Sequence, residues 1–130
     1  MKSPDRTLPA LVVDDSRTMC EIMSRVLRQI GFAEVEHATE ALDAISKLKS
    51  KPYGLLLTDL EMNPISGPDL IKMIWAEKEI ARMPTILTSS NRYSIAKTVS
   101  DTEGGIADIY ILKPFTAEIL DRKLHETFGE

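Results

Sequence analysis

The sequence has a single cysteine, Cys20, so no internal disulfide can form, and a reducing, cytoplasmic setting is the expectation. It has no apolar run of membrane-spanning length, so no membrane partner is expected. The opening Met1-Lys2-Ser3-Pro4-Asp5-Arg6 leads into an apolar stretch that Asp14 and Asp15 cut too short for a signal peptide. Basic charge is not in excess: 16 Lys and Arg against 20 Asp and Glu leave a net charge of −4. Backbone-directed nucleic-acid binding needs clustered cations, so it is excluded as the main task. No glycine-rich phosphate loop of either standard pattern occurs, which argues against nucleotide binding. Repeats, low-complexity tracts and linkers are absent too. What remains is 130 residues, 43% hydrophobic and 28% charged, the profile of one soluble globular domain. A chain of this length buries about two thirds of its unfolded surface and needs no disulfide or structural metal.

Two hydrophobic periods take turns along the chain. Leu8 to Val13 is a short apolar run ending in Asp14-Asp15-Ser16, a buried strand feeding a helix start. Met19, Ile22, Met23, Val26, Leu27 and Ile30 then recur at helical spacing, and Gly31 closes the segment. Ala33 to Ala38 reads as a second strand. Thr39 is the expected cap of a helix whose inner stripe is Leu42, Ile45 and Leu48, broken by Lys51-Pro52-Tyr53-Gly54. Leu55 to Asp59 is a third strand, and a loop from Glu61 to Gly67 leads to Pro68 at the start of a helix carrying Leu70, Ile71, Ile74 and Trp75. Thr85 to Ser89 is a fourth strand. Asn91 to Thr102 is a weakly amphipathic helix with Ile95, Ala96 and Val99 as its apolar face, ended by Gly104-Gly105. Ile106 to Leu112 is a fifth strand, and Thr116 caps a last helix through Ile119, Leu120, Leu124 and Phe128. The folded core therefore spans about residues 8–128. Apolar strands alternating with helices imply a parallel sheet covered on both faces, one of a small set of doubly wound α/β folds.

In such sheets ligands bind outside the carboxyl ends of the strands, so the residues just after each strand carry the functional information. The first strand ends in Asp14 and Asp15, the third in Asp59, the fourth in Ser89, and the fifth is followed by Lys113-Pro114-Phe115. Two carboxylates about 4 Å apart repel by roughly 4 kcal/mol at an effective dielectric near 20. Three together call for a cation, and hard oxygen ligands in a small open site favour Mg²⁺. Lys113 then offers a fixed positive charge and Ser89 a hydrogen-bond donor to a phosphoryl group. Taken singly, each piece has a plainer explanation: Asp-Asp-Ser as an acidic N-cap, Asp59 as a solvated loop residue, Ser89 as a turn, Lys113 as a surface cation. Capping alone does not explain why four of five strands end in this chemistry.

Val12-Val13-Asp14-Asp15-Ser16, Asp59-Leu60-Glu61-Met62 with Gly67 following, Ser89, and Tyr110-Ile111-Leu112-Lys113-Pro114-Phe115 together resemble the receiver domain of bacterial response regulators, most nearly the single-domain chemotaxis (CheY-like) type. The resemblance runs from Leu8 to Phe128. It implies five helices around a five-stranded parallel sheet of order 2-1-3-4-5, and no effector domain within the 130 residues. It implies Asp59 as phosphoacceptor, supplied by the phosphohistidine of a sensor histidine kinase or phosphotransfer protein, or by acetyl phosphate. Mg²⁺, with Mn²⁺ as a substitute, would be held by Asp15 and Asp59 directly, by Asp14 largely through water, and by the backbone carbonyl of Glu61. Lys113 would offset transition-state charge and Ser89 would hydrogen-bond the phosphoryl oxygens. Tyr110 would rotate inward, changing the surface of the fourth helix, fifth strand and fifth helix for a downstream protein target. Chemotaxis, phosphorelay and a phosphate sink are all compatible outputs, in a monomer or a phosphorylation-linked dimer.

The chain departs from the family pattern at Asn63, where the family usually has proline; here proline follows at Pro64. Proline restricts itself and its predecessor, so the loop path is expected to differ. Glu61 adds a negative side chain beside the metal site and is expected to affect metal affinity or phosphoryl lifetime. The stretch from Asp101 to Ile106 is longer than in the chemotaxis prototype, and the fourth helix is expected to be the least stable element. His37 and His125 form no metal pair, Cys20 reads as packing, and Phe115 as an anchor for the last helix. Two readings of other classes compete with a non-enzymatic signalling switch. One is a Mg²⁺-dependent aspartyl-phosphate phosphatase, for which no second acid or cap segment is found. The other is a non-phosphorylated interaction module, disfavoured by the complete set of Asp14, Asp15, Asp59, Ser89 and Lys113.

Overall fold

The computed structural model describes residues 3–130; Met1 and Lys2, on which part of the signal-peptide argument falls, lie outside the described residues. Strands β1 (Ala10–Val13), β2 (Val35–Ala38), β3 (Leu55–Asp59), β4 (Thr85–Ser89) and β5 (Ile109–Leu112) alternate with helices α1 (Arg17–Gln29), α2 (Ala41–Ser50), α3 (Gly67–Ala76), α4 (Arg92–Asp101) and α5 (Ala117–Phe128). The strands form one sheet in the order β2-β1-β3-β4-β5, and each neighbouring pair is parallel. This is the doubly wound α/β fold that the alternation implies. No described helix is long and apolar enough to cross a membrane.

Side-chain alternation along β1 sorts the core into two layers. Ala10 and Val12 face Cys20, Met23, Leu27, Leu120 and Leu124 of α1 and α5. Leu11 and Val13 face Ala44, Ile45, Leu48, Leu70 and Ile74 of α2 and α3. Because β1 and β3 are covered on both sides, their apolar residues are buried without exception, which is why both strands read as continuous hydrophobic runs. Under α4 lies only a small third cluster of Leu60, Ile71 and Leu87 with partly buried Trp75, Ile95, Ile106 and Tyr110 around it.

Several expectations need correction. Thr39 does not cap α2: the N-cap is Glu40, whose side chain makes no capping bond. Leu42 is 65% exposed; the buried face of α2 is Ala41, Ala44, Ile45 and Leu48. Ile119, one of the apolar residues through which α5 runs, is 39% exposed. Ala96 is exposed, and the only buried residue of α4 is Thr98. Strand β1 starts at Ala10 and not Leu8, β2 at Val35 and not Ala33, and β5 at Ile109 and not Ile106. The last shift has a cause in Asp108, whose carboxylate and amide pair with the amide and carbonyl of Thr85. That closes the ladder with a side chain where a strand residue would otherwise sit. The caps at Ser16, Ser66, Asn91 and Thr116 accept the backbone N–H bonds their residue types favour. Gly31 follows the α1 cap with φ +111°, the left-handed conformation that glycine adopts freely.

The glycine at the head of α3 is fixed by a close approach. A Cβ on Gly67 would lie 2.2 Å from the carbonyl oxygen of Asp59 and 2.8 Å from Cδ2 of Leu87. Gly67→Ala should therefore push α3 off the end of β3 and cost about 1–3 kcal/mol, read as a lower urea midpoint at unchanged slope. Because α4 buries so little, its amides should exchange with solvent faster than those of α1; slower exchange in α4 would refute this.

Candidate functional site

The carboxyl ends of β1 and β3 lie side by side, since Val13 pairs with Thr58. The residues that follow meet at the point where strand order reverses, the place where such sheets bind ligands. Asp14 continues β1 by donating its amide to the carbonyl of Ala38 at 3.2 Å. Its Oδ1 accepts the Ser16 N–H at 2.9 Å, which turns the chain so that Ser16 can cap α1. The Cys20 thiol donates to the Asp14 carbonyl at 3.3 Å. Burial together with the charge of Asp14 pushes that thiol up to about 11, so Cys20 is a packing residue and not a nucleophile. Asp14 is buried and Asp15 exposed. Asp59, the last residue of β3, is 5% exposed.

Asp14, Asp15 and Asp59 each present an oxygen, and the three oxygens lie within 4.8 Å of one another. Hard anionic donors on two neighbouring strand ends, one open to solvent, suit a small divalent cation that keeps part of its water. Lys113, the residue after β5, reaches into the same cluster. Its amide donates to the carbonyl of Ser89 at 2.8 Å, which fixes its backbone. Its Nζ lies 3.0 Å from Oδ1 of Asp59 and 3.4 Å from Oδ2 of Asp14. Burial disfavours the Lys113 ammonium, yet the hydrogen bond and charge of Asp59, with the charge of Asp14, hold it above its ordinary value. Burial pushes the Asp59 carboxyl up to about 6. Lys113 pulls it down through its hydrogen bond and charge, and the charges of Asp14 and Glu61 raise it further.

Ser89 ends β4 and is fully buried. Its hydroxyl donates to Oε1 of Glu61 and accepts the Asn91 N–H at 2.9 Å. The expected donor toward Asp59 is thus engaged with Glu61. Glu61 itself is exposed and follows Asp59 by two residues on a loop with a cis Asn63–Pro64 peptide bond. Tyr110, on β5, makes a separate contact. Its phenol oxygen accepts the Ile106 N–H at 2.6 Å and the Ala107 N–H at 3.2 Å. Gly105, at φ +119°, lies so close that a Cβ would meet the phenol oxygen at 2.9 Å.

The structure therefore brings Asp14, Asp15, Asp59 and Lys113 into one cluster, with Ser89 and Glu61 bonded to each other at its rim and Tyr110 pinned further out. Sequence reasoning missed the Glu61–Ser89 bond, the turn that Ser16 makes on Asp14, and the pinning of Tyr110. The second had a signal in Asp14-Asp15-Ser16, since an aspartate two residues before a cap serine commonly accepts its amide. The other two depend on loop paths that carry no local signature.

In the unfolded chain an aspartate titrates near about 3.9, below the value of about 6 for folded Asp59. Between those limits the folded state holds more protons than the unfolded one, so this carboxyl makes stability fall as pH rises from about 4 to about 6. Above that range its ionised form costs its full amount. Asp59→Asn removes the cost. In metal-free buffer at pH 7.5 the variant should be more stable than wild type by about 1–2 kcal/mol, with the difference closing near pH 4. Equal urea midpoints at both pH values would contradict the raised carboxyl.

Comparison with known proteins agrees with this geometry. The family model described as the response regulator receiver domain matches residues 10–125. The chemotaxis protein CheY-3 of Vibrio cholerae is 33% identical over 126 residues, covering 95% of this chain and 94% of that protein. The chemotaxis protein CheY homolog of Campylobacter jejuni is 35% identical over 122 residues, covering 92% and 91%. Among solved structures, a CheY-like receiver domain from Methylobacillus flagellatus superposes with a TM-score of 0.78 at 22% identity, over 93% of this chain and 98% of that one. The receiver domain of a Pseudomonas aeruginosa sensor histidine kinase, solved with magnesium in its active-site cleft, gives 0.76 at 21% identity, over 95% and 99%. With the family match spanning nearly the whole chain and the fold and acidic cluster in agreement, this protein belongs to the response regulator receiver domain family.

Proposed function

We propose that this chain is a phosphorylation-activated switch that catalyses only its own phosphorylation and dephosphorylation. The observation that carries the reading is the position of Asp59: a buried carboxylate at a strand end, bonded to Lys113 and sharing an oxygen cluster with Asp14 and Asp15. In the proposed step an Asp59 carboxylate oxygen attacks phosphorus. The bond from phosphorus to the donor breaks, and its electron pair leaves with the imidazole nitrogen of a histidine kinase or phosphotransfer protein, or with acetate when acetyl phosphate is the donor. Asp14, Asp15 and Asp59, with the backbone carbonyl of Glu61, are the proposed ligands of Mg²⁺, which when bound screens the approach of one anion to another and orients the transferring oxygens. Lys113 stabilises the charge that develops on those oxygens, being held in place by its own backbone bond to Ser89.

The response would pass through Ser89 and Tyr110 to the surface of α4, β5 and α5, where a downstream protein binds. Tyr110 cannot turn inward while its oxygen holds the amides of Ile106 and Ala107. The loop from Gly105 to Ala107 therefore moves with the ring, and the changing surface includes that loop. The names of the two chemotaxis relatives support chemotaxis as the pathway.

Intact mass after incubation with acetyl phosphate tests the reading. A phosphoryl adduct is expected in wild type with Mg²⁺, absent without the metal and absent in Asp59→Asn. Lys113→Ala should slow adduct formation about 10- to 100-fold. Failure of wild type to form an adduct with either acetyl phosphate or a phosphorylated histidine kinase would make the non-phosphorylated interaction module the better reading.

A further inference from the structure

Ser89 has one hydroxyl proton to donate. The Glu61 carboxylate takes it, while the other candidate acceptor, the Asn91 carbonyl, lies 3.3 Å away. On its acceptor side the same oxygen is occupied by the Asn91 N–H at 2.9 Å. Ser89 is fully buried, so the hydroxyl has little solvent to turn to. Asp59 pairs with Thr88, the residue before Ser89, which puts Ser89 at the edge of the phosphoacceptor site. A phosphoryl group on Asp59 offers acceptor oxygens, as Glu61 does. One proton cannot serve both.

We propose that Glu61 is a positioning residue that holds the Ser89 hydroxyl away from the phosphoacceptor, so that the Glu61–Ser89 bond and engagement of a phosphoryl group by Ser89 exclude one another. The proposal rests on the phosphorylation of Asp59 argued above and adds a resting-state lock to it. The lock spans two connections of the fold, the loop after β3 and the end of β4. A group arriving at Asp59 must break it before Ser89 can contribute to binding. Releasing Glu61 also frees an exposed carboxylate on the β3–α3 loop, so the lock couples occupancy of the site to that loop's conformation.

A simple charge effect of Glu61 on an incoming anion is the competing explanation, and the side-chain chemistry separates the two. Glu61→Gln removes the charge but keeps an oxygen that can accept from Ser89. Glu61→Ala removes both. The probe is beryllofluoride, a phosphoryl analogue, titrated in the presence of Mg²⁺ and followed by the fluorescence of Trp75, the single tryptophan, or by calorimetry. If the lock exists, Glu61→Ala should bind the analogue about two- to tenfold more tightly than Glu61→Gln. In a Ser89→Ala background the two Glu61 variants should bind alike. Equal affinities with Ser89 present would overturn the proposal and leave only charge. A difference that persists without Ser89 would overturn it as well. Glu61 is exposed, so its two variants should fold normally, and equal affinities between them would overturn the proposal even if the buried Ser89→Ala variant does not fold. Absence of both the acetyl phosphate adduct and beryllofluoride binding in wild type would instead remove the phosphorylation reading, and this proposal with it.

Discussion

Three aspartates at the ends of two adjacent parallel strands, with one lysine among them, form the constraint on which the rest of this structure depends. Each close pair of carboxylates repels by roughly 4 kcal/mol at an effective dielectric near 20. The fold offsets part of that cost with Lys113, whose ammonium reaches both Asp59 and Asp14, and with the Ser16 amide bonded to Asp14. Burial raises the Asp59 carboxyl to about 6 despite its cationic neighbour, and the charges of Asp14 and Glu61 add to that rise. A site left in that condition gains most from an added positive charge, and a small divalent cation matches its hard oxygen donors. The three carboxylates differ in their surroundings. Asp59 is buried and close to Lys113, while Asp15 stays open to solvent, where its charge costs least.

Around this centre the molecule is unevenly built. On one face α1 and α5 close over a large continuous core that includes Phe32 and Phe115. Beyond β4, α4 contributes one buried residue, and the connection to β5 carries Glu103, Gly104 and Gly105 with positive φ in succession. Tyr110 restores order there by accepting two backbone N–H groups, and Asp108 does so by pairing with Thr85. These are few contacts, and two of the four belong to the Tyr110 side chain. The firmly packed half holds Asp14 and Asp15, which follow β1, in place. The loosely packed half adjoins Ser89, so a local change at the site meets little resistance in that direction.

How much could be read from the amino acids follows from what each feature depends on. The strands, their parallel arrangement and the convergence of Asp14, Asp15, Asp59 and Lys113 were legible because they rest on hydrophobic period and on the rule for ligand sites in doubly wound sheets. The 2-1-3-4-5 strand order came instead from the resemblance to receiver domains. The misread residues sit at boundaries. Leu42 and Ile119 lie one helical step outside the buried face, where period alone does not fix which edge of a stripe turns inward. Thr39 failed as a cap because the chain enters α2 one residue later. Strand β5 starts three residues later than its apolar run implies because the Asp108 side chain substitutes for a ladder bond, and no hydrophobicity pattern reports such a substitution. The contacts of Glu61 and Tyr110 were out of reach for a different reason. They join residues 28 and 4 positions apart through loops whose paths are set by proline and glycine torsions.

Ser89 is where these strands of argument meet. Its carbonyl receives the Lys113 amide and so helps aim the ammonium at Asp59. Its hydroxyl joins the β3–α3 loop through Glu61, and its Oγ anchors the entry to α4 through the Asn91 amide. Asn91 in turn caps α4, accepting from Tyr93 and Ser94. One buried residue thus touches the backbone of Lys113, the loop after Asp59 and the start of the helix that buries least. On the proposed reading, redirecting its single proton from Glu61 toward a phosphoryl group on Asp59 would release the loop and turn the oxygen that anchors α4. The α4 side, whose helix buries a single residue, would then be the one to respond.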